Sequence, residues 1–365
     1  MAYIAYNAVI LQNQRKNQTL INHTKFSFCS MQTELKNAIL KEDFNDILGQ
    51  DYVKKQVKSA LLSERNIIIV GPPGIGKTTL AKNIARILPE KVVNDCEFNC
   101  LPDVPVCPKC KAKKQKTKKV SGEQLFIRVQ GSPDLTAEDL IGDIDPIKAL
   151  EFGPMSIEAF TPGKIFKANN GILFFDEVNR CPEKLQNALL QVLQEKKATI
   201  GSYDIDFEAN FIFIGTMNPQ DINTEPMSDV FLDRVDIIYM DYPESQEIEE
   251  KIVRKYGKAM VQTPDFLFSG MIEFVRLLRE DENLEKTPSV RASLGLYERA
   301  QANALLEKNS MVSFDNFNDA VLSVLSHRIK LKPSKKYLQS PESYLEEKFK
   351  TYSNNAGLAD KSDSP

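Results

Sequence analysis

The stretch "IIIVGPPGIGKTTLAKNIARIL", residues 67–88, joins an apolar run to a glycine-rich turn and then to an amphipathic pattern. The apolar run predicts a buried strand, and the spacing of apolar residues after Lys77 predicts a helix. Between them, "GPPGIGKT" fits the pattern G-x-x-x-x-G-K-[ST], in which backbone N–H groups curl around phosphate oxygens. A structural glycine turn is the alternative, but the preceding strand and the following helix favour a phosphate-binding loop.

The polar side chains of this loop have separate expected roles. Lys77 is expected to reach the β- and γ-phosphates, and the Thr78 hydroxyl is expected to bind Mg²⁺. The nucleotide contacts expected in this segment are Gly71, Pro72, Pro73, Gly74, Ile75, Gly76, Lys77, Thr78 and Thr79. The sequence therefore predicts binding of ATP together with Mg²⁺.

A second apolar run, "GILFFDEVNR" at residues 171–180, ends in the adjacent acids Asp176 and Glu177. Neighbouring carboxylates repel each other and are costly to desolvate unless a cation lies nearby. For this pair alone, a strand that has reached water is the alternative. Combined with the phosphate loop, Asp176 is expected to hold Mg²⁺ through its water shell. Glu177 is expected to polarise the water that attacks the γ-phosphate.

Another predicted strand, in "FIFIGTMNPQ" at residues 211–220, ends on Thr216 and Asn218. The Asn218 amide could orient the attacking water, although Asn-Pro is also a common turn dipeptide. Both interpretations stay open from the residues alone.

Strand-like runs at "LFIRV", "ILFF", "NFIFIGT" and "VDIIYM" alternate with helical patterns, which predicts an α/β fold with a parallel sheet flanked by helices. After Tyr242-Pro243 only helical patterns follow. We expect an N-terminal extension at 1–40, a core at 41–242, a small all-helical lid domain at 243–332 and a flexible tail at 333–365. Within that tail, "SPESYLEEKFK" has the spacing of a helix.

The composition is that of an ordinary globular protein: 365 residues, 42% hydrophobic, 27% charged, with net charge −3. This balance argues against nucleic-acid binding over the whole chain. No apolar run reaches about 18 residues, so no membrane span is expected. No cationic segment precedes the short N-terminal apolar stretch, so no signal peptide is predicted. Met31 is an alternative start to Met1, and we expect a cytoplasmic protein.

Four of the six cysteines fall in one window, "CEFNCLPDVPVCPKC", as Cys96, Cys100, Cys107 and Cys110. Two closely spaced pairs of thiolates can close a tetrahedral Zn²⁺ site, which would fix an insertion at 95–120. An iron–sulfur cluster uses the same ligands and is the second choice of metal. Four unligated thiols are the remaining alternative. The lysines that follow, between 109 and 119, could contact an acidic partner or nucleic acid, or could form a solvated flexible loop.

These motifs together resemble those of AAA+ ATPases, in particular the clade of the magnesium-chelatase I subunit and the MoxR ATPases. The resemblance runs from about Phe44 to Arg328 and implies a P-loop core with an insertion in its second helix, near 142–165. "ILGQ" lies where the family contacts adenine, which implies that Gln50 contacts the base. "GTMNPQ" resembles the sensor 1 motif of the family, which implies that Asn218 is the sensor residue.

The resemblance also implies two arginines. "FLDRVD" is similar to the family's "LDR" element, which implies Arg234 as arginine finger, and "SVRASLGLYERAQANALL" is similar to the lid helix, which implies Arg291 as sensor 2. A guanidinium suits a charge-dispersed phosphoryl transition state. If Arg234 acts in trans, the active site exists only between subunits of a ring, and the resemblance implies a hexamer.

The resemblance leaves the pathway open. "DEVNRCPEKLQNALLQVLQEKKATIG" is closer to MoxR proteins, and a separate partner with a von Willebrand A domain is implied by the related chelatases. The first hypothesis is an ATP-driven motor that remodels a partner protein or assists metal insertion or cofactor assembly. The alternatives are the ATPase subunit of a true metal chelatase, a nucleic-acid-dependent translocase, and a nucleotide-binding scaffold.

Overall fold

The computed structural model describes residues 34–153, 156–200, 205–219 and 227–358. Contacts along the chain divide it into two compact units. The first unit comprises the described parts of Met1–Asp46, Tyr52–Val70 and Lys77–Tyr239, and the second comprises Ile47–Asp51, Gly71–Gly76 and Met240 onward. Cys29, Met31 and most of the expected N-terminal extension lie outside the described residues. In the described parts of the chain, no helix has the length and apolar character needed to cross a membrane.

The chain enters the first unit through a helix and then alternates strands with helices. The elements up to the second strand of the central sheet are α1 (34–41), α2 (Asp51–Leu62), β1 (Ile67–Val70), α3 (Lys77–Ile87), β2 (Lys91–Asn94), α4 (Pro108–Ala112), β3 (Thr117–Val120) and β4 (Phe126–Gln130). Those that follow are α5 (Ala137–Ile141), β5 (Gly142–Ile144), α6 (Pro146–Phe152), a 3₁₀ turn (Ile157–Ala159), β6 (Phe160–Pro162), α7 (Lys164–Lys167), β7 (Ile172–Asp176), a 3₁₀ turn (Val178–Arg180), α8 (Glu183–Glu195), β8 (Lys197–Ile200), β9 (Ile205–Glu208), β10 (Ile212–Met217), α9 (Asp229–Leu232) and β11 (Asp236–Tyr239).

The central sheet has five parallel strands in the order β11-β1-β10-β7-β4. The register pairs Val70 with Met217 and Gln130 with Asp176, so the carboxyl ends of the strands lie at one edge. The three central strands, β1, β10 and β7, are almost uniformly apolar and buried because helices flank the sheet, as is usual for parallel sheets. The prediction of a parallel α/β fold flanked by helices is confirmed.

Two segments interrupt the core pattern. The cysteine-containing segment lies between β2 and β3, which pair antiparallel. The segment that matches the expected second-helix insertion contains α6 between β5 and β6, which also pair antiparallel. The lysines between 109 and 119 are exposed, as expected, but they lie on α4, on β3 and on the short turn between them. The flexible loop proposed for this stretch is therefore replaced by regular structure, because the cysteines on one side and the β2–β3 pairing on the other fix its backbone.

The second unit is mostly helical. Its elements are α10 (Gln246–Tyr256), α11 (Asp265–Arg279), β12 (Leu284–Lys286), α12 (Val290–Leu306), α13 (Phe314–Leu325), a 3₁₀ turn (Ser326–Arg328), β13 (Lys330–Leu331), α14 (Pro333–Lys336) and α15 (Pro341–Ala356). The expectation of an all-helical lid requires a small correction, because β12 and β13 form an antiparallel pair.

The expected flexible tail also requires correction. Helix α15 buries Leu345 and Phe349 in the apolar core of the second unit, where the Phe349 ring meets those of Phe274 and Phe317. The polar composition of residues 333–365 suggested a flexible tail, because only one face of the helix is apolar and the rest of its surface is polar. The residues after 358 lie outside the described part of the chain.

Candidate functional site

The acid predicted to hold Mg²⁺ lies at the carboxyl edge of the sheet. Asp176 ends β7, and its side chain is 14% exposed. One carboxylate oxygen accepts a hydrogen bond from the Thr216 hydroxyl at 2.6 Å, and the other lies 2.6 Å from a guanidinium nitrogen of Arg128. Thr216 is fully buried on β10, so the carboxylate is held by its neighbours on both adjacent strands. These contacts fix the orientation of Asp176 at the end of the sheet.

The second acid occupies a turn with an unusual backbone conformation. Glu177 has φ 57° and ψ 54°, in the left-handed region that non-glycine residues rarely adopt. Its backbone N–H donates to the Thr216 hydroxyl at 2.9 Å. Gly131 passes so close that a Cβ atom there would lie 2.0 Å from the Glu177 carbonyl oxygen. A strained backbone conformation persists only where surrounding contacts hold it in place. Such conformations are typical of functional sites.

The Glu177 carboxylate has two polar neighbours. The Gln130 amide donates to it at 3.1 Å, and a guanidinium nitrogen of Arg180 lies 3.0 Å from the same oxygen. Arg128 also donates to Gln130 at 3.0 Å, so the ends of β4 and β7 share one network of polar side chains. This network is arranged around the two acids.

Sequence reasoning missed Arg128 and Gln130. The sequence does contain a hint of their role, because the otherwise apolar run "LFIRVQ" carries a charged side chain and an amide side chain near its end. In a parallel sheet, the ends of neighbouring strands share one edge, and the register places Gln130 beside Asp176. The order of strands in the sheet, which the sequence does not give, was needed to connect them.

Asn218 and Arg234, the implied sensor and arginine finger, lie in the first unit. Asn218 directly follows β10, and its carbonyl oxygen accepts a hydrogen bond from the buried Asn179 amide at 3.4 Å. Arg234 follows α9 and donates to the Val230 carbonyl oxygen at 2.6 Å, while its Nε is buried with no hydrogen-bond partner among the described residues. Both residues follow elements of the first unit, in which the two acids also lie.

The glycine-rich loop expected to bind phosphate, Gly71–Gly76, groups with the second unit. A Cβ atom at Gly71 would lie 1.9 Å from the Met240 carbonyl oxygen, so only glycine fits there. Gly74 has φ +77°, and a Cβ atom there would lie 2.8 Å from Ser289 Oγ and 3.2 Å from Arg291 Cγ. The loop therefore lies directly beside the residue implied as sensor 2.

Gln50, the residue implied to contact adenine, lies in the same unit. Its amide donates to the Asp241 carbonyl oxygen at 2.8 Å and more weakly to that of Tyr242. The preceding Gly49 has φ +66° and lies close to Ile248 of α10. The second unit thus brings Gln50, the phosphate loop and Arg291 together with the start of the lid.

Lys77 and Thr78 begin α3 at the other end of the loop. Because the loop is short, α3 starts at the same sheet edge where β1 ends, and it packs beside β7 and β10. The Thr78 hydroxyl and the Asp176 carboxylate are both oxygen ligands, which Mg²⁺ prefers. The residues present therefore fit a magnesium ion.

The four cysteines of the window lie together. Their sulfur atoms all lie within 4.8 Å of one another, and three of the side chains are buried. A tetrahedral zinc site with Zn–S bonds of about 2.3 Å separates its sulfur atoms by roughly 3.8 Å, so only small movements would be needed.

Backbone N–H groups surround these sulfur atoms. Cys100 Sγ accepts from the N–H groups of Val106 and Cys107 at 3.4 and 3.3 Å, and Cys107 Sγ accepts from that of Cys110 at 3.4 Å. Hydrogen bonds from the thiols of Cys100 and Cys107 lower the pKa of Cys96, whereas hydrogen bonds with Cys107 and Cys96, together with burial, raise the pKa of Cys100. N–H groups directed at sulfur stabilise thiolates, so the donor set and its surroundings fit a soft metal ion.

Comparison with known proteins identifies three matching family segments. Residues 98–237 match the ATPase family associated with various cellular activities (AAA). Residues 43–117 match magnesium chelatase, subunit ChlI, and residues 279–347 match the AAA lid domain. The segments follow one another along the chain, overlapping only between 98 and 117.

The chain is also similar to individual proteins and to solved structures. The chain is 26% identical over 328 residues to a magnesium-chelatase subunit ChlI homolog of Methanocaldococcus jannaschii, covering 80% of this chain and 86% of the relative. It is also 26% identical over 325 residues to the chaperone MoxR1 of Mycobacterium tuberculosis, covering 78% and 73%. Among solved structures, a complex between subunits BchI and BchD of magnesium chelatase matches with TM-score 0.45 and 22% identity, covering 80% of this chain and 98% of that one.

Proposed function

Because the chain belongs to the AAA+ ATPases of the magnesium-chelatase ChlI and MoxR type, we propose that it couples ATP hydrolysis to the remodelling of a partner protein. The activity of this class is ATP hydrolysis, so the chain is an ATP hydrolase. The partner and the site roles described next are proposals. The observation that carries them is the network of Arg128, Gln130, Thr216 and Arg180 around Asp176 and Glu177.

We assign the ATP-binding role to the loop Gly71–Gly76, Lys77 and Thr79, with Gln50 on the side of the base. Thr78 and Asp176 hold Mg²⁺, which neutralises charge on the phosphate oxygens when it is bound. Glu177 accepts a proton from the attacking water, and the Asn218 amide orients that water. Arg291 stabilises the negative charge of the γ-phosphate.

Arg234 acts on the active site of a neighbouring subunit in this proposal. Its guanidinium has a buried Nε without a partner among the described residues, which is costly in an isolated chain. In a ring in which each subunit supplies Arg234 to the next, this guanidinium would contact the active site of the neighbouring subunit. We therefore propose a ring oligomer, with six subunits as the expected number.

Mixing two inactive variants tests the ring. Arg234→Ala subunits keep Glu177, and Glu177→Gln subunits keep Arg234, so mixed rings contain some interfaces with a complete site. We expect each variant alone to be inactive and the mixture to recover part of the ATPase activity. Arg254→Ala, which removes an exposed arginine of α10, serves as the control for loss of a guanidinium. If the mixture stays inactive although mixed rings form, Arg234 does not act in trans.

Capture of the client tests the motor function. The Glu177→Gln protein with ATP should hold its client, and a protein with a von Willebrand A domain is one expected partner. Metal insertion into a porphyrin with added partners would instead support the true chelatase, and ATP turnover stimulated by DNA or RNA would support the translocase. Unchanged turnover in Glu177→Gln would assign the base to a different group, and ATP binding without turnover in the unsubstituted protein would leave a nucleotide-binding scaffold.

We further propose that Cys96, Cys100, Cys107 and Cys110 bind one structural Zn²⁺. The convergence of four sulfur atoms within 4.8 Å supports this proposal. Metal analysis of protein purified under reducing conditions should return about one zinc per chain, and Cys107→Ser should lose it. Cys181→Ala, a buried cysteine outside the cluster, should keep the zinc. Iron and acid-labile sulfide instead of zinc would identify an iron–sulfur cluster.

A further inference from the structure

One carboxylate of the second unit is buried completely and held by several groups. The Glu249 side chain on α10 is 0% exposed. Arg279 of α11 donates to both of its oxygens, at 2.6 and 2.7 Å, and Arg276 lies 3.4 Å away. Two arginines from one helix therefore compensate a single buried charge.

The same carboxylate holds the start of α12. The Ser293 hydroxyl, also fully buried, donates to Glu249 at 2.5 Å. Arg279 in addition donates through Nε to the carbonyl oxygen of Pro288, at 2.9 Å. Pro288 and Ser293 lie on either side of Ser289 and Arg291, so these bonds fix both ends of the segment that carries Arg291.

That segment lies against the phosphate loop. Ser289 Oγ and Arg291 Cγ are the atoms that a Cβ at Gly74 would meet, at 2.8 and 3.2 Å. The Glu249 network reaches the chain beside the loop as well, because Arg276 donates to the Pro243 carbonyl oxygen at 3.0 Å. The Arg279 guanidinium also lies 4.6 Å from the centre of the Tyr242 ring. Glu249 thus connects the linker after Met240 with the first turn of α12.

We propose that Glu249 is a positioning residue, which holds the first turn of α12 and therefore Arg291 at the place beside Gly74 that ATP hydrolysis requires. This inference rests on the proposed role of Arg291. In this proposal, Glu249 acts through its contacts with Ser293 and Arg279. A fully buried ion pair is weak evidence for stability as such, because desolvation offsets much of its attraction. A role in fixing geometry accounts for its position between the linker and the first turn of α12.

The test uses Ser293→Ala, because truncating Glu249 would leave Arg279 without its partner and could unfold the unit. Loss of the Ser293 hydroxyl keeps both arginine contacts and frees the first turn of α12. We expect the turnover number for ATP to fall by about three- to tenfold, with a much smaller change in KM. The matched control is Gln301→Ala, which removes an equally buried polar side chain from the same helix, far from Arg291.

A double-mutant cycle with Arg291→Ala decides whether the effect passes through Arg291. We expect Ser293→Ala to cause no further loss of turnover once Arg291 is absent. An equal loss in both backgrounds, full turnover in Ser293→Ala, or the same loss in Gln301→Ala at matched thermal stability would overturn the proposal. Failure of the proposed function itself would be recognised separately, because the unsubstituted protein would then hydrolyse no ATP.

Discussion

The guanidinium of Arg128 lies 2.6 Å from the carboxylate of Asp176, at the ends of two adjacent parallel strands. Half of the Arg128 side chain is exposed, whereas that of Asp176 is 14% exposed. An ion pair with one exposed partner contributes about 0.2–1 kcal/mol. If Asp176 holds Mg²⁺ as proposed, the arginine would compete with the cation without excluding it.

Replacing Arg128 by glutamine should lower the Mg²⁺ concentration needed for half-maximal ATPase activity, because the competing positive charge is removed. The expected decrease is up to about fivefold, the equivalent of roughly 1 kcal/mol. Titration of ATPase activity with Mg²⁺ at fixed ionic strength measures it. Arg65→Gln, which breaks an exposed ion pair with Asp236 at the start of β11, should leave the Mg²⁺ requirement unchanged. A higher Mg²⁺ requirement in Arg128→Gln would mean that the arginine orients Asp176 for the metal.

Replacing Glu177 by glutamine should abolish most ATP turnover while preserving ATP binding. The amide cannot accept the proton of the attacking water, and general-base catalysis contributes about 10²–10⁴-fold. Equilibrium binding of a fluorescent ATP analogue and steady-state turnover separate the two effects. Glu183→Gln, at the exposed start of α8, is the control and should behave as the unsubstituted protein. Retained turnover in Glu177→Gln would assign the base to another group.

Removing the proposed metal should destabilise more than the cysteine segment. The Phe98 ring follows Cys96 and lies 5.2 Å from that of Phe166 and 6.5 Å from that of Phe160, inside the core of the first unit. Cys107→Ser, or treatment with a strong chelator, should lower the thermal transition by roughly 4–8 °C, the equivalent of about 2 kcal/mol. Hydrogen exchange should increase around residues 98 and 160. The control Cys181→Ala keeps all four proposed ligands, so the chelator should lower its thermal transition by the same amount as in the unsubstituted protein.

Asp281 should make the stability of the second unit depend on pH in the acidic range. Burial alone would raise its pKa, but hydrogen bonds from Tyr344, Lys348 and Asn283 lower it to about 2. The unfolded chain, with a pKa near about 3.9, binds the proton first, so the stabilisation is complete above about pH 4 and is lost as the pH falls toward 2.

The variant Asp281→Asn should accordingly be less stable at pH 7 and should lose less stability between pH 4 and 2. Denaturant unfolding of the full chain, followed at several pH values, provides the measurement. Asp265→Asn, an exposed carboxylate at the start of α11, is the control and should keep the slope of the unsubstituted protein. An unchanged slope in Asp281→Asn would show that other carboxylates determine the acid response.

The sequence predicted the parts of the molecule that depend on local pattern. The apolar runs before Gly71 and Asp176 became buried parallel strands, and the helix after Lys77 begins where the glycine pattern ends. The α/β class followed from that alternation. The convergence of the four cysteines was also anticipated from their spacing, although spacing does not identify a metal.

What escaped prediction depends on contacts between distant parts of the chain. Arg128 and Asp176 are neighbours only because β4 lies beside β7 in the sheet, and strand order is not a local property. Glu249 is one of several acids in the sequence of α10, and only the fold places Arg279 and Ser293 around it. Helix α15 was assigned to a tail because its apolar residues are diluted by serine, asparagine and lysine.

The second unit gathers segments that are far apart in the chain, with Gly76 and Met240 separated by more than 160 residues. On the ribosome, the glycine loop emerges long before the residues against which it packs. Closing so large a loop is slow, because conformational entropy is lost before any stabilising contact forms. The glycine loop can therefore make these contacts only after the residues from Met240 to Arg291 have been synthesised.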